Sequence, residues 1–303
     1  MKRVFSKLFL FLVLALTAAP QTQAQRPQTK GEKPKVDIQT NNSVQDFKLD
    51  SKLMSRQMPY RVLLPANYEI SNEKTFYPVI YLLHGLTGHY DNWADKTRLK
   101  DYFKDFNYII VMPEGNNGWY TDIATVANDK YESYIVRELI PEIDKKFRTK
   151  KLRENRAIAG LSMGGYGSIK FGMKYPEMFA LVGSFSGALG AASWTEKELG
   201  GRKGAIPESL LSVFGNADNQ IRPANDVFKM AREMPAEKIK LLPFIYQDCG
   251  TEDFLYSNNR EFAALLQQRK IPHEYRELPG GHDWRFWESQ IQEFLEVSER
   301  FLN

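Results

Sequence analysis

Arg156-Ala157-Ile158-Ala159-Gly160-Leu161-Ser162-Met163-Gly164-Gly165 carries a short apolar run straight into the pattern G-x-S-x-G. Arg156 to Gly160 reads as a buried strand, and Met163 to Tyr175 has the spacing of a helix. Only the turn at Ser162 lies between them. A strand–turn–helix junction of this kind presents a serine hydroxyl at the end of a sheet. The turn is tight enough to strain the serine backbone. Gly160 and Gly164 belong there because a Cβ at either place would strike the neighbouring strand or helix. The first helical amides, with the positive end of the helix dipole, then lie beside the hydroxyl.

Outward from this junction the chain alternates strands and helices. Tyr60 to Leu64, Val79 to Leu83, Tyr108 to Met112, Ala180 to Phe185 and Leu242 to Tyr246 are short apolar runs closed by turn residues. Asn128 to Phe147 sets Tyr131, Tyr134, Ile135, Leu139 and Ile143 on one stripe, and Asn258 to Lys270 and Phe286 to Leu302 read as helices too. This order predicts an α/β fold, a mainly parallel sheet with helices on both faces. No repeat or linker divides residues 46–303, which are read as one domain. Ala188 to Lys240 is too long for an ordinary connection and reads as a functional insertion containing some helix.

A serine in this setting needs a base and an acid, in the chain order nucleophile, acid, base. Only His273 and His282 follow Ser162. His273 opens the alternating strand His273 to Leu278, whereas His282 follows Gly280-Gly281 on a loop at a strand's C-terminal edge, where such sheets hold their chemistry. His282 is therefore the expected base. Asp248, Glu252 and Asp253 all follow the preceding strand. Asp248 is close enough to the strand end to serve the Cys249-Gly250 turn, and Asp253 lies further out before the apolar Phe254-Leu255-Tyr256. Two backbone amides must face the developing oxyanion. Met163 follows the nucleophile, and Leu86 lies in His84-Gly85-Leu86-Thr87-Gly88 after an early strand. His84 reads as a brace for that loop.

The chain has 303 residues and a net charge of +4; its first 24 residues carry Lys2, Arg3 and Lys7 and no acid, so the remainder carries +1. Such a body gives no electrostatic case for nucleic acid. Three cations, an apolar run from Leu8 to Ala19 and small residues at Thr22 and Ala24 have the layout of a secretory signal cleaved after Ala24. Cleavage would leave no stable membrane insertion and a secreted or periplasmic enzyme. Residues 25–45, rich in Gln, Lys, Pro, Thr and Asn, read as a flexible leader. The single cysteine, Cys249, excludes an internal disulfide and a multi-cysteine metal site. No HExxH, phosphate loop or GxGxxG occurs, so neither a metal nor a cofactor is expected.

Leu82 to Gly88, Asn117-Gly118-Trp119-Tyr120-Thr121-Asp122, Gly160 to Gly167, Cys249 to Tyr256 and His282-Asp283-Trp284 occur in this order. Together they resemble the esterase D/tributyrin esterase group of α/β-hydrolases, related to feruloyl and acetyl-xylan esterases, S-formylglutathione hydrolases and mycolyltransferase antigens. The resemblance runs from Val44 to Leu302. It implies an α/β-hydrolase fold, a triad of Ser162, Asp253 and His282, oxyanion amides on Leu86 and Met163, and Trp119 beside the acyl site. Trp284, two residues after His282, is a second pocket candidate. The expected activity is hydrolysis of short or aromatic acyl esters, plausibly on carbohydrates. Its rivals are acyl transfer on the same site and a catalytically silent binding protein of the same fold. The export signal sets the chain apart from the cytosolic S-formylglutathione hydrolases, and residues 188–240 match no motif of the group.

Overall fold

The computed structural model describes residues 44–123, 125–215 and 220–302. The expected signal, residues 1–24, and all but the end of the leader lie outside them. The strands are β1 (Val44–Ser51), β2 (Arg56–Leu63), β3 (Val79–Leu83), β4 (Ile109–Pro113), β5 (Arg156–Leu161), β6 (Leu181–Phe185), β7 (Phe244–Gly250) and β8 (His273–Leu278). They form one sheet in the order β1-β2-β4-β3-β5-β6-β7-β8. β3 to β8 run parallel, and the β1–β2 hairpin adds two antiparallel strands at one edge. The predicted architecture is present.

Two strand boundaries differ from the sequence reading. The sheet begins at Val44, so Val44 and Gln45 belong to a strand and not to the leader. β1 intersperses Val44, Phe47 and Leu49 with polar residues and pairs with β2 through eight register positions, which an apolar-run criterion passes over. β7 continues through Gln247 and Asp248 to Gly250, although these two residues are polar. Asp248 is thus a buried strand residue and does not hold a turn.

Side-chain alternation divides β3 between two cores. Val79, Tyr81 and Leu83 enter one, with Ile80 and Leu82 in the other. The first core is covered by α3 (Tyr131–Tyr134), a π turn at Ile135–Leu139, α4 (Ile140–Lys146), α5 (Met163–Lys174) and α11 (Tyr256–Arg269). All five residues of the predicted stripe from Tyr131 to Ile143 are buried there. The second core lies under α1 (Asn92–Lys96), α2 (Leu99–Tyr102) and α12 (Trp284–Ser298), whose Ile291, Phe294 and Leu295 face the sheet. Between β6 and β7 the insertion folds into five short helices, α6 (Glu196–Leu199), α7 (Ala205–Phe214), α8 (Ile221–Asn225), α9 (Val227–Glu233) and α10 (Ala236–Ile239).

One charged group is fully buried behind α5. The Lys170 ammonium lies 2.9 Å from Glu132 and donates to the Tyr120 carbonyl and the Thr121 hydroxyl, each at 2.7 Å. Burial pulls the lysine down to about 8, against the attraction of Glu132. Burial raises Glu132, but Lys170 and Lys174 outweigh it and hold the carboxyl at about 2. Removing one partner of such a pair costs roughly 3–5 kcal/mol. Glu132→Gln should lower Tm by about 10 °C for a body of this size. A carboxyl depressed in the folded state adds stability above its unfolded value and loses it in acid. Wild-type stability should therefore fall between about pH 4.5 and 2, and the variant should lose less there; thermal melts across that range measure both.

Candidate active site

β5 delivers Ser162 at the C-terminal edge of the sheet. Its backbone has φ 52° and ψ −113°, and α5 begins at the next residue. The expected strain is therefore observed at this residue. It is held by packing: a Cβ on Gly164 would lie 2.6 Å from the Leu83 carbonyl oxygen, and one on Gly160 would lie 2.7 Å from the Gly164 backbone. The Ser162 amide donates to Phe185 O at 2.9 Å, and its carbonyl accepts from Tyr166 and Ala188.

Three side chains from three loops meet here. His282 Nε2 is 2.9 Å from Ser162 Oγ, and His282 Nδ1 is 2.8 Å from Asp253 Oδ2. The other Asp253 oxygen accepts from the Leu255 amide at 2.8 Å. Burial raises the Asp253 carboxyl, but the His282 hydrogen bond and charge, with the Leu255 amide, hold it below the ordinary carboxylate range. The imidazole is confined by Trp287, edge-on at 4.9 Å between ring centroids, and by Phe254 at 4.6 Å.

The alternatives weighed from sequence lie elsewhere. Asp248 is fully buried in β7, and burial pushes its carboxyl well above the usual range. Glu252 is exposed, with its amide on the Gly280 carbonyl. His273 bonds the Ile271 carbonyl through Nδ1. His84 is buried behind the β3 loop, and Cys249 is buried with its thiol pushed up by desolvation.

An apolar cleft of about 480 Å³ opens over Ser162 and His282, a usual size for a small-molecule site. Gly85 and Leu86 line it, and a Cβ on Gly85 would come within 3.5 Å of Ser162 Cβ, so the β3 loop passes directly beside the serine. Trp119 and Trp284 both line it, as expected. Trp119 packs against Tyr166 and Phe214 and donates its indole N–H to Ser209 of α7 at 3.0 Å. Trp194, Ala205 and Ile206 of the insertion complete that wall. The opposite wall joins α1 to the start of α12, where Trp284 packs edge-on to Trp93 and under the Lys96 ammonium at 5.2 Å. The sequence reading of residues 188–240 as a functional insertion named no pocket residue, because its short helices carry no periodic signal. Among the described residues no cluster of His, Cys, Asp and Glu is arranged to hold a metal ion.

Comparison with known proteins agrees with this geometry. The Esterase family model matches residues 51–296, and the chain belongs to that family. An acetyl esterase of Caldicellulosiruptor saccharolyticus is 28% identical over 261 residues, covering 81% of this chain and 94% of that protein. A solved ferulic acid esterase superposes with a TM-score of 0.74 at 29% identity, covering 86% of this chain and 100% of that one. A substrate-bound fluorophosphonate-binding serine hydrolase of Staphylococcus aureus gives 0.75 at 25% identity, covering 85% and 98%. The protein is an α/β-hydrolase-fold carboxylic ester hydrolase.

Ser209→Ala removes the hydroxyl that accepts from the buried Trp119 indole. An unsatisfied buried donor costs about 1–3 kcal/mol. Calorimetry should show Tm lower by several degrees. Esters bulky enough to touch the Trp119 wall should lose more kcat/KM than a small acetate ester.

Proposed function

We propose that this chain is an exported serine esterase that hydrolyses short or aromatic acyl esters of carbohydrate alcohols. The observation that carries the reading is the unbroken line Ser162 Oγ–His282 Nε2–His282 Nδ1–Asp253 Oδ2 at the floor of an apolar cleft. Ser162 Oγ attacks the ester carbonyl carbon while His282 Nε2 takes its proton, and Asp253 holds the ring and stabilises the imidazolium. The carbonyl oxygen becomes an oxyanion facing the Leu86 and Met163 amides. Collapse breaks the bond to the alcohol, which leaves with the proton from His282. Water, deprotonated by the same ring, then releases the acid from the acyl-serine.

The proton donor fixes which side of the cleft takes which half of the ester. The departing alcohol must lie toward His282, beside Phe254, Trp284 and Lys96. The acyl group then points toward Trp119, Trp194 and Ile206. An apolar acyl wall suits acetyl to feruloyl groups, and the names of two of the relatives, acetyl esterase and ferulic acid esterase, agree with this. Flat rings and an ammonium on the other wall suit the apolar face and hydroxyls of a sugar. The N-terminal pattern supports export, which would put the enzyme among envelope or environmental esters.

Ser162→Ala should lose about 10⁶ in kcat, as the nucleophile of a triad does. It should stay folded and fail to label with a fluorophosphonate. Asp253→Asn should lose about 10⁴ through the wrong imidazole tautomer, with Asp248→Asn far less affected. His282→Ala should be as inactive as the serine variant, and His273→Ala nearly normal. On a panel of esters, acetylated and feruloylated sugars should be cleaved faster than long-chain triglycerides; the reverse order would refute the substrate assignment. Residual Ser162→Ala activity above a hundredth of wild type would refute the nucleophile.

A further inference from the structure

The Gly85–Leu86 peptide is the element of the site whose orientation matters most and whose support lies furthest from the substrate. A trans peptide is planar, so its C=O and N–H point in opposite directions. Fixing the Gly85 carbonyl therefore fixes where the Leu86 N–H points. That carbonyl accepts from His84 Nδ1 at 2.7 Å and from the Gly88 amide at 3.0 Å. The His84 ring is itself held on its far side. Its Nε2 accepts from the Gly115 amide at 2.9 Å, and Glu114 Oε1 packs 3.2 Å from the same nitrogen.

Glu114, 5% exposed, reaches both loops of the site. One oxygen also accepts from the Asn116 amide at 2.6 Å, which starts the turn leading to Trp119. The other lies 3.1 Å from His89 Nδ1, beyond the oxyanion loop. Burial alone would raise this carboxyl, but His84, the Asn116 amide and His89 bring it down to about 2, so it is ionised at any working pH. From the other side, Tyr120 Oη donates to the His84 carbonyl at 2.9 Å, which pins the preceding peptide. Trp119 and Tyr120 both have positive φ, 50° and 49°, a conformation that needs outside support in residues of this size. Glu114 ties one loop to the other.

We propose that Glu114 is a positioning residue which, through the His84 ring, sets the Gly85–Leu86 peptide so that its N–H faces the reacting oxyanion. This rests on Leu86 being an oxyanion donor in the function proposed above. Glu114 touches no substrate. Its influence passes from the carboxylate through the Asn116 and Gly115 amides of the turn to the imidazole, and from there to the Gly85 carbonyl and the N–H of the same peptide. An interaction that acts on the oxyanion and not on the bound ester changes kcat and leaves KM alone.

The test uses the full-length enzyme with an acetate ester and with phenylboronic acid, which forms a tetrahedral adduct on the serine. Removing one oxyanion donor costs about 10²–10³ in kcat. Misaiming it through Glu114→Gln should cost about 10–100-fold, with KM changed less than twofold. Phenylboronic acid should bind more weakly by the same factor as kcat/KM falls. Tyr120→Phe removes the second support and should give a smaller loss of the same kind; it carries the test if Glu114→Gln does not fold. His84→Gln and Glu114→Gln should be non-additive in kcat, since both act through one ring. Wild-type kcat in folded Glu114→Gln, or a rise in KM at constant kcat, overturns the positioning role. If that occurs while Ser162→Ala is inactive, the proposed function stands and only the role of Glu114 falls.

Discussion

Everything in the site depends on one backbone conformation, the positive φ of Ser162 between β5 and α5. A serine pays a conformational penalty there, and the sheet must hold it in place. It does so by letting α5 approach β3 and β5 so closely that no side chain fits at Gly160 or Gly164. The same approach lays the β3 loop beside the serine, and it sets the first amide of α5 directly after it. Strain, exposure of the hydroxyl and the placing of a helix N-terminus beside it are one packing arrangement seen from three sides.

The remaining parts are supplied by loops at the C-terminal edge of the sheet, and each loop is braced by a neighbour. Asp253 and His282 hold each other across the β7 and β8 loops. Glu114 and Tyr120 hold the β3 loop from the β4 loop. Lys170 reaches from α5 to the carbonyl of Tyr120, so the helix that follows Ser162 also supports the loop that carries Trp119. Ser209 extends this support into the insertion. The Trp119 wall is therefore continuous with the residues beside the serine, whereas the Trp284 wall rests on α1 and α12.

The elements legible in the sequence were those with a local reason to exist. The elbow at Ser162 reads from its glycines, and the parallel strands read from apolar runs buried on both faces. His282 followed from counting histidines and from the position of a loop. Asp253 is favoured over Asp248 and Glu252 by its place further out on the loop, but what separates them fully is three-dimensional: of the three, only Asp253 reaches the imidazole. β1 was hidden because an edge strand needs little apolar character. Asp248 was read as a turn residue because β7 keeps polar side chains in its buried end. Glu114 and Lys170 gave no signal, since a charged residue in a loop or a helix looks solvated until the packing around it is known.

The placement of tryptophan has an optical consequence. The chain contains five tryptophans. Trp119, Trp194, Trp284 and Trp287 line the cleft, and Trp93 packs against Trp284 directly behind it. No tryptophan lies in the distant part of the sheet or under the β1–β2 hairpin. The protein's indole emission therefore originates almost entirely at the site, and it reports occupancy of the cleft without an attached dye. An aromatic ligand entering the cleft would quench or shift that light.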